Sequence, residues 1–242
     1  MIPRKIHFCW FGGKEKPLTV VQYIQTWKKF FPDYEVIEWN ESKFDINSCV
    51  YTSQAYKMGK YAFVSDYVRL VALYEEGGIY FDTDIEVVKD IGPLLDESNM
   101  LLGFEDNQYI MTGFMAARSG LECFADLIKI YNQKMFILEN GKLDMTPNPI
   151  VVTDVMKQYG LQTNGERQSF GEAYTVFPVE YFSAYNIAYQ KLEVSDKTYL
   201  IHHCMGSWQT SKEKILPWLK SKLVRAMGIR RFEKMRDIFY WR

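Results

Sequence analysis

The residues best placed to do chemistry are Asp82-Thr83-Asp84, two carboxylates flanking one small residue, directly after the apolar run Ile79-Tyr80-Phe81. Hard divalent cations such as Mg²⁺ and Mn²⁺ take oxygen ligands, commonly one or two carboxylates together with phosphate and water. Such a pair suits a metal that holds a diphosphate. An isolated Asp-x-Asp is ordinarily an exposed turn, but this pair has company. Asp66 and Arg69 precede it, three residues apart, inside an otherwise apolar stretch. That spacing points an acid and a base to the same face of a helix.

The elements that must position these groups are legible around them. Ala62 to Glu76 contains no Gly and no Pro and is apolar on nearly every side, the pattern of a buried helix. Gly77-Gly78 is a stop signal, because glycine adopts the left-handed conformation that ends a helix. Ile79 to Phe81 is then a short buried strand that delivers Asp82 and Asp84 to its far end. Upstream, Lys5 to Trp10 reads as a first buried strand broken by Phe11-Gly12-Gly13. Leu18 to Phe30 has helical periodicity closed by Pro32, and Tyr34 to Trp39 alternates like a second strand. Strand, helix, strand, long helix and third strand in that order predict parallel α/β units. A first strand ending in a Gly-containing loop is where α/β nucleotide folds place their ligand.

Ser65-Asp-Tyr-Val-Arg69 followed by Gly77-Gly-Ile-Tyr-Phe-Asp-Thr-Asp84 resembles the signature of the DXD-containing sugar transferases of glycosyltransferase family 32. That group includes capsular-polysaccharide transferases and yeast α-mannosyltransferases, and the glucosylating clostridial toxins carry a similar block. The resemblance implies a Rossmann-like GT-A fold that binds a nucleotide sugar. It implies that Asp66 and Arg69 contact the donor sugar, while Tyr80, Asp82 and Asp84 serve the nucleotide diphosphate and its Mn²⁺ or Mg²⁺. His7-Phe-Cys-Trp-Phe-Gly-Gly13 resembles the family's opening, in which an aromatic at the position of Trp10 stacks on the base; otherwise Trp10 is a core residue. Tyr109 to Ala117 resembles the family's acceptor-side strand.

Tyr199-Leu-Ile-His-His-Cys-Met-Gly-Ser-Trp208 resembles the family's late His…Gly-Ser-Trp segment, and it holds two of the chain's three histidines. Imidazole can complete a Mn²⁺ shell that carboxylates begin. Both His202 and His203 are candidates, and the three-residue spacing to Gly206 favours His203. Ser207 and Trp208 would close over the diphosphate. One departure from the pattern is Asn148-Pro149, where relatives show Gly-Pro. Leu121 to Glu139 is expected to be a packing helix and Val151 to Tyr159 a further helix. Phe170 to Phe182, with Pro178 inside it, is expected to be edge strand or loop.

At 242 residues, with 48% hydrophobic and 24% charged residues, the chain has the make-up of one globular domain with an appendage. A net charge of −1 argues against a nucleic-acid partner. Four scattered cysteines with no Cys-x-x-Cys read as reduced thiols of a cytoplasmic protein. The opening residues are expected to run directly into a strand rather than a leader. No stretch approaches the ~20 apolar residues of a spanning helix. The expected division is a catalytic domain over residues 1–209 and a helical tail over 210–242. From Lys212 onward, ten basic residues against three acids leave seven positive charges, interleaved with aromatic anchors such as Trp218 and Trp241. Such a helix either lies on an anionic membrane surface or packs on the domain with a solvated basic face.

Together these features predict a metal-dependent glycosyltransferase, and the resemblance implies that it retains anomeric configuration. Its donor would be a UDP-hexose, with GDP-mannose as the alternative. The acceptor expected by analogy is a glycan or lipid-linked oligosaccharide of cell-surface polysaccharide synthesis, at the inner face of the membrane. The acids left over for a base, were the reaction inverting, are Glu105 and Asp106. An aspartyl phosphatase would want Thr or Val where this chain has Glu86. The non-enzymatic rival is an inactive sugar- or membrane-binding module in which Asp66 and Arg69 are only a buried ion pair.

Overall fold

The helix expected over residues 62–76 runs Tyr61–Glu75 and is buried along most of its length, as its all-round apolar surface requires. It ends at two glycines with positive φ, Gly77 at 63° and Gly78 at 108°. Space demands glycine there as well, since a Cβ on Gly78 would lie 2.7 Å from the Lys5 carbonyl oxygen. This tight turn sets the following strand directly beside the first one.

The computed structural model describes residues 1–96, 98–186 and 191–206. Ser207, Trp208 and the basic tail over 210–242 lie outside the described residues. In chain order the elements are β1 (Lys5–Cys9), α1 (Leu18–Phe30), β2 (Glu35–Trp39), a 3-10 turn (Ile46–Ser48), α2 (Val50–Lys57) and α3 (Tyr61–Glu75). Then come β3 (Gly78–Phe81), β4 (Ile85–Val87), α4 (Gly92–Leu95), β5 (Met100–Gly103), β6 (Phe114–Ala117), α5 (Glu122–Gln133) and α6 (Asn148–Gln158). The last are β7 (Gln168–Phe170), β8 (Tyr174–Phe177), α7 (Val179–Phe182), β9 (Tyr185–Asn186), β10 (Lys191–Leu192) and β11 (Leu200–His202).

Among the described residues, the central sheet has the order β2-β1-β3-β6-β5-β8-β7. Strand β1 pairs in parallel with both β2 and β3, and β5 in parallel with β8. Strand β6 runs antiparallel between β3 and β5, and β7 antiparallel along the β8 edge. Five strands therefore point one way and two the other. Strands β3, β5, β6 and β8 are buried throughout, so they read as unbroken apolar runs. Their side chains alternate between two cores. Tyr80, Leu102, Met115 and Val176 pack with α2, α3, α5 and α6. Ile79, Phe81, Leu101, Phe114 and Phe177 pack against Trp27 of α1, Leu95 of α4 and Phe182 of α7. The result is a helix–sheet–helix sandwich of α/β class.

Three expectations are revised here. The helix expected from Leu121 to Glu139 stops at Gln133. Lys134 turns out of it to pair with Asp144 at 3.0 Å, and Ile137 bridges Leu143. The expected strand over Tyr109 to Ala117 is regular only from Phe114, with Ile110 making a single bridge to Phe104. The stretch Phe170 to Phe182 is edge and connection only in part: Phe170 closes the edge strand β7 and Pro178 lies between elements, but Tyr174–Phe177 is the interior strand β8 and Val179–Phe182 is helical.

The pair β4 and β11 stands apart from the central sheet. It is antiparallel, with Leu200 opposite Val87 and His202 opposite Ile85. Helix α1 satisfies part of the β4 backbone: Trp27 Nε1 donates to the Ile85 carbonyl at 2.8 Å, and Val87 N–H donates to Thr26 Oγ1 at 3.0 Å. Cys9, Cys49 and Cys123 are buried and Cys204 partly so, all as free thiols. Among the described residues, no helix is long and apolar enough to cross a membrane.

Candidate functional site

The chemistry-bearing residues meet at one end of the sheet, where β1, β3 and β5 finish and the reversed β6 begins. This is the end at which open α/β sheets hold ligands. Asp82 and Asp84 lie in the turn joining β3 to β4. The turn is held by Asp82 N–H donating to the Gly113 carbonyl at 2.7 Å and Ile85 N–H donating to the Asp82 carbonyl at 3.0 Å.

Arg69 is the hub. Its side chain is 5% exposed, and every nitrogen of its guanidinium is engaged. Nη2 lies 2.9 Å from Asp66 Oδ1 and 3.3 Å from Asp82 Oδ1. Nη1 donates to the Thr112 carbonyl at 2.7 Å and lies 3.5 Å from Asp82 Oδ2, and Nε donates to the Ser65 carbonyl at 3.1 Å. The guanidinium also sits over the Tyr80 ring, 4.8 Å from its centroid, while the Tyr80 hydroxyl donates to Asp82 Oδ1 at 2.9 Å. The i, i+3 spacing of Asp66 and Arg69 thus makes the ion pair read from the sequence, and the tertiary fold adds Asp82 to it. Burial opposes the guanidinium charge, but Asp82, Tyr80 and Asp66 outweigh that and hold it more firmly protonated than usual. For Asp66, burial wins: its carboxyl is pushed up to about 6 against the pull of Arg69.

Asp84 faces the other way. Its Oδ2 accepts from Met205 N–H at 2.8 Å, and its Oδ1 lies 3.3 Å from His202 Nε2. Burial alone would raise the Asp84 carboxyl and lower the His202 imidazole. Their mutual hydrogen bond and charge reverse both, holding Asp84 low and His202 well above the ordinary histidine range. Asp82, Asp84 and His202 each offer one ligand atom, all within 4.8 Å of one another. Two carboxylates and an imidazole are a fitting donor set for Mn²⁺ or Mg²⁺. The 3.3 Å between Asp84 Oδ1 and His202 Nε2 is close to the ~3 Å edge spanned by neighbouring ligands of an octahedral ion with bonds of about 2.1 Å.

His203, favoured from the sequence, points elsewhere. Its Nε2 lies 2.9 Å from Glu86 Oε2, and its ring stacks on Tyr23 with centroids 4.7 Å apart. Its backbone N–H donates to the Asp84 carbonyl at 3.0 Å, so His203 anchors the strand that presents His202. Trp10 is half-buried at the end of β1, with Nε1 donating to the Lys14 carbonyl at 2.6 Å and the Lys16 ammonium 5.7 Å from its ring. It packs at the margin of the α1-side core rather than inside it.

Of the two spare acids, Asp106 spends Oδ1 on its own turn, accepting from Gln108 and Tyr109 N–H at 2.7 and 2.8 Å. Glu105 lies close enough to the site to feel the charges of His202, Asp106 and Asp82, and burial raises its carboxyl. Asn148, at the departure from Gly-Pro, is buried, with its amide nitrogen donating to the Tyr131 hydroxyl at 2.8 Å and lying 3.5 Å from the Asp66 carbonyl oxygen. The contributions of Tyr23, Thr112 and Gly113 were not read from the sequence. A stacking ring, a carbonyl and a missing side chain carry no local signature.

Residues 17–101, about a third of the chain, match the family model described as glycosyltransferase sugar-binding region containing DXD motif. The matched segment contains Asp66, Arg69, Tyr80, Asp82 and Asp84, and it stops short of Glu105, Gly113 and His202. No curated protein matches the chain. Among solved structures, the PaToxG glycosyltransferase is similar at 20% identity over 65% of this chain and 68% of that one, with a TM-score of 0.49. A glycosyltransferase involved in the glycosylation of the major capsid of PBCV-1 is similar at 11% identity over 92% and 100% of the two chains, with a TM-score of 0.47. The galactosyltransferase LgtC, solved with donor and acceptor sugar analogues, is similar at 11% identity over 93% and 96%, with a TM-score of 0.38.

Proposed function

We propose that this protein is a metal-dependent retaining glycosyltransferase that moves a hexose from a nucleotide sugar to a hydroxyl of a glycan or lipid-linked acceptor. The observation that carries this reading is the convergence of Asp82, Asp84 and His202 beside the Asp66–Arg69 pair, within and next to a segment that matches a DXD sugar-binding region. Asp84, Asp82 and His202 would hold the ion. A divalent ion there would supply Lewis-acid stabilisation of the charge that develops on the departing diphosphate.

The remaining work falls to the chain's own groups. Arg69, fixed by two carboxylates and two carbonyls, is preorganised and presents its charge without rearrangement. Asp66, ionised above pH about 6, accepts hydrogen bonds from sugar hydroxyls and orients the ring. Retention follows the family resemblance, in which the leaving phosphate takes the acceptor proton on the face it departs from. Ser207 and Trp208 would close over the diphosphate. The basic tail would carry the enzyme to an anionic membrane surface inside the cell.

A thermal-shift panel of UDP- and GDP-sugars, each with and without Mn²⁺, tests this reading. A rise in Tm for one nucleotide sugar that needs the ion is expected. No shift with any donor would favour the inactive binding module. The half-buried Trp10 adds a finer test. If its free face stacks on the base, Trp10→Ala weakens UDP binding by about 1–3 kcal/mol, measured by calorimetry. Unchanged UDP affinity in a folded variant would make Trp10 a packing residue only.

A further inference from the structure

Gly113 stands between the two halves of the candidate metal site. Its carbonyl accepts from Asp82 N–H at 2.7 Å. A Cβ placed on it would lie 2.9 Å from His202 Cε1, 3.2 Å from His202 Nε2 and 3.1 Å from Asp82 Oδ2. Conformation does not explain this glycine, because Gly113 is not among the residues with positive φ. Space does. The three nearest atoms are all side-chain ends of the residues that form the cluster, with no backbone or core atom among them.

That distinction decides what a methyl group would cost. At Gly77, where the nearest atom is a backbone nitrogen 2.6 Å away, an added Cβ must distort the fold. At Gly113 the closest clash, with His202 Cε1 at 2.9 Å, is relieved when the His202 ring swings aside, while Asp82 Oδ2 at 3.1 Å needs to give only slightly. The swing costs the fold little, but it takes Nε2 away from Asp84 Oδ1, 3.3 Å distant. We propose that Gly113 is a positioning residue: its missing side chain is the gap that admits the His202 ring, and so it sets the affinity of the site for a divalent cation. The proposal rests on the metal reading of Asp82, Asp84 and His202 given above.

A double-mutant cycle read by Mn²⁺ binding tests it. Titrations followed by the electron paramagnetic resonance signal of free Mn²⁺ would use the wild type, Gly113→Ala, His202→Ala and the double variant. Gly113→Ala is expected to weaken Mn²⁺ binding roughly 10–100-fold, the range seen when support for a metal ligand is lost. Its metal-free Tm should stay within about 2 °C of the wild type. In the His202→Ala background the same change should cost no more than about twofold, because the ring it displaces is gone, whereas independent sites would show the full loss in both backgrounds. Wild-type Mn²⁺ affinity in Gly113→Ala would overturn the proposal, and so would an equal loss in both backgrounds. Should Gly113→Ala fail to fold, rescue of folding by His202→Ala supports the proposal, and failure in both backgrounds overturns it. A wild type that binds no Mn²⁺ would instead overturn the metal reading itself.

Discussion

Asp84→Asn is expected to lower sugar transfer by roughly 10²–10³-fold or more, the scale lost when one preorganised electrostatic group is removed from a reacting site. Asn keeps the shape of Asp, and its carbonyl oxygen can still accept from Met205 N–H, so the turn between β3 and β4 survives. What disappears is the negative charge facing His202 Nε2 at 3.3 Å and the anionic ligand it offers. Metal-dependent nucleotide binding should fall together with turnover, and the circular-dichroism spectrum should not change. Wild-type transfer that persists under complete chelation would sink the metal-dependent mechanism.

The largest effect on stability is expected at Arg69. Arg69→Met leaves Asp66 and Asp82 without their shared cation and orphans the Thr112 and Ser65 carbonyls. Breaking a buried pair by removing one partner costs about 3–5 kcal/mol. Arg69→Lys should recover little, because one ammonium cannot bridge two carboxylates and two carbonyls. The loss should shrink as pH falls. The folded-state pKa of Asp66 is pushed up to about 6, above the ~3.9 of an unfolded chain. The folded protein therefore takes up that proton first and gains stability as pH drops through this window; in the variant, with no guanidinium pulling the Asp66 carboxyl down, the gain is larger and the gap narrows. Urea unfolding at pH 7.5 and pH 5 measures both points. A cost below about 1 kcal/mol at pH 7.5 would mean that the pair behaves as a solvated surface bridge.

The parts of this site legible in the sequence are those written in local spacing. The i, i+3 acid and base, the double glycine and the short apolar strand placed Asp66, Arg69, Tyr80, Asp82 and Asp84 on adjoining elements, and the structure brings these residues together. The choice between His202 and His203 was not legible, because it depends on strand parity. Side chains alternate faces along β11, so a shift of one residue exchanges which ring meets Asp84. Only the pairing of His202 with Ile85 settles that. Gly113 was hidden for a different reason: its role is an absence of volume, visible only when His202 is already in place. The overlong helix after Leu121 had apolar periodicity to support it. Beyond Gln133, however, Met135 and Leu138 are 45% and 40% exposed, and the Lys134–Asp144 pair redirects the chain.

The short antiparallel pair formed by β4 and β11 gives the protein an order of assembly. The Asp82 side of the site is held by contacts within the first half of the chain. Its imidazole half arrives across a far greater separation: Met205 and Asp84 are 121 residues apart in sequence. Closing so long a loop carries an entropic cost that must be met before its contacts repay it, and contacts of this kind form slowly. A nascent chain that has emerged only as far as β8 has every strand of the central sheet, yet its Asp84 side chain lacks both partners it has in the finished fold. The site is thus completed by the last described strand to be synthesised, and the activity proposed for it would begin only once that strand has docked.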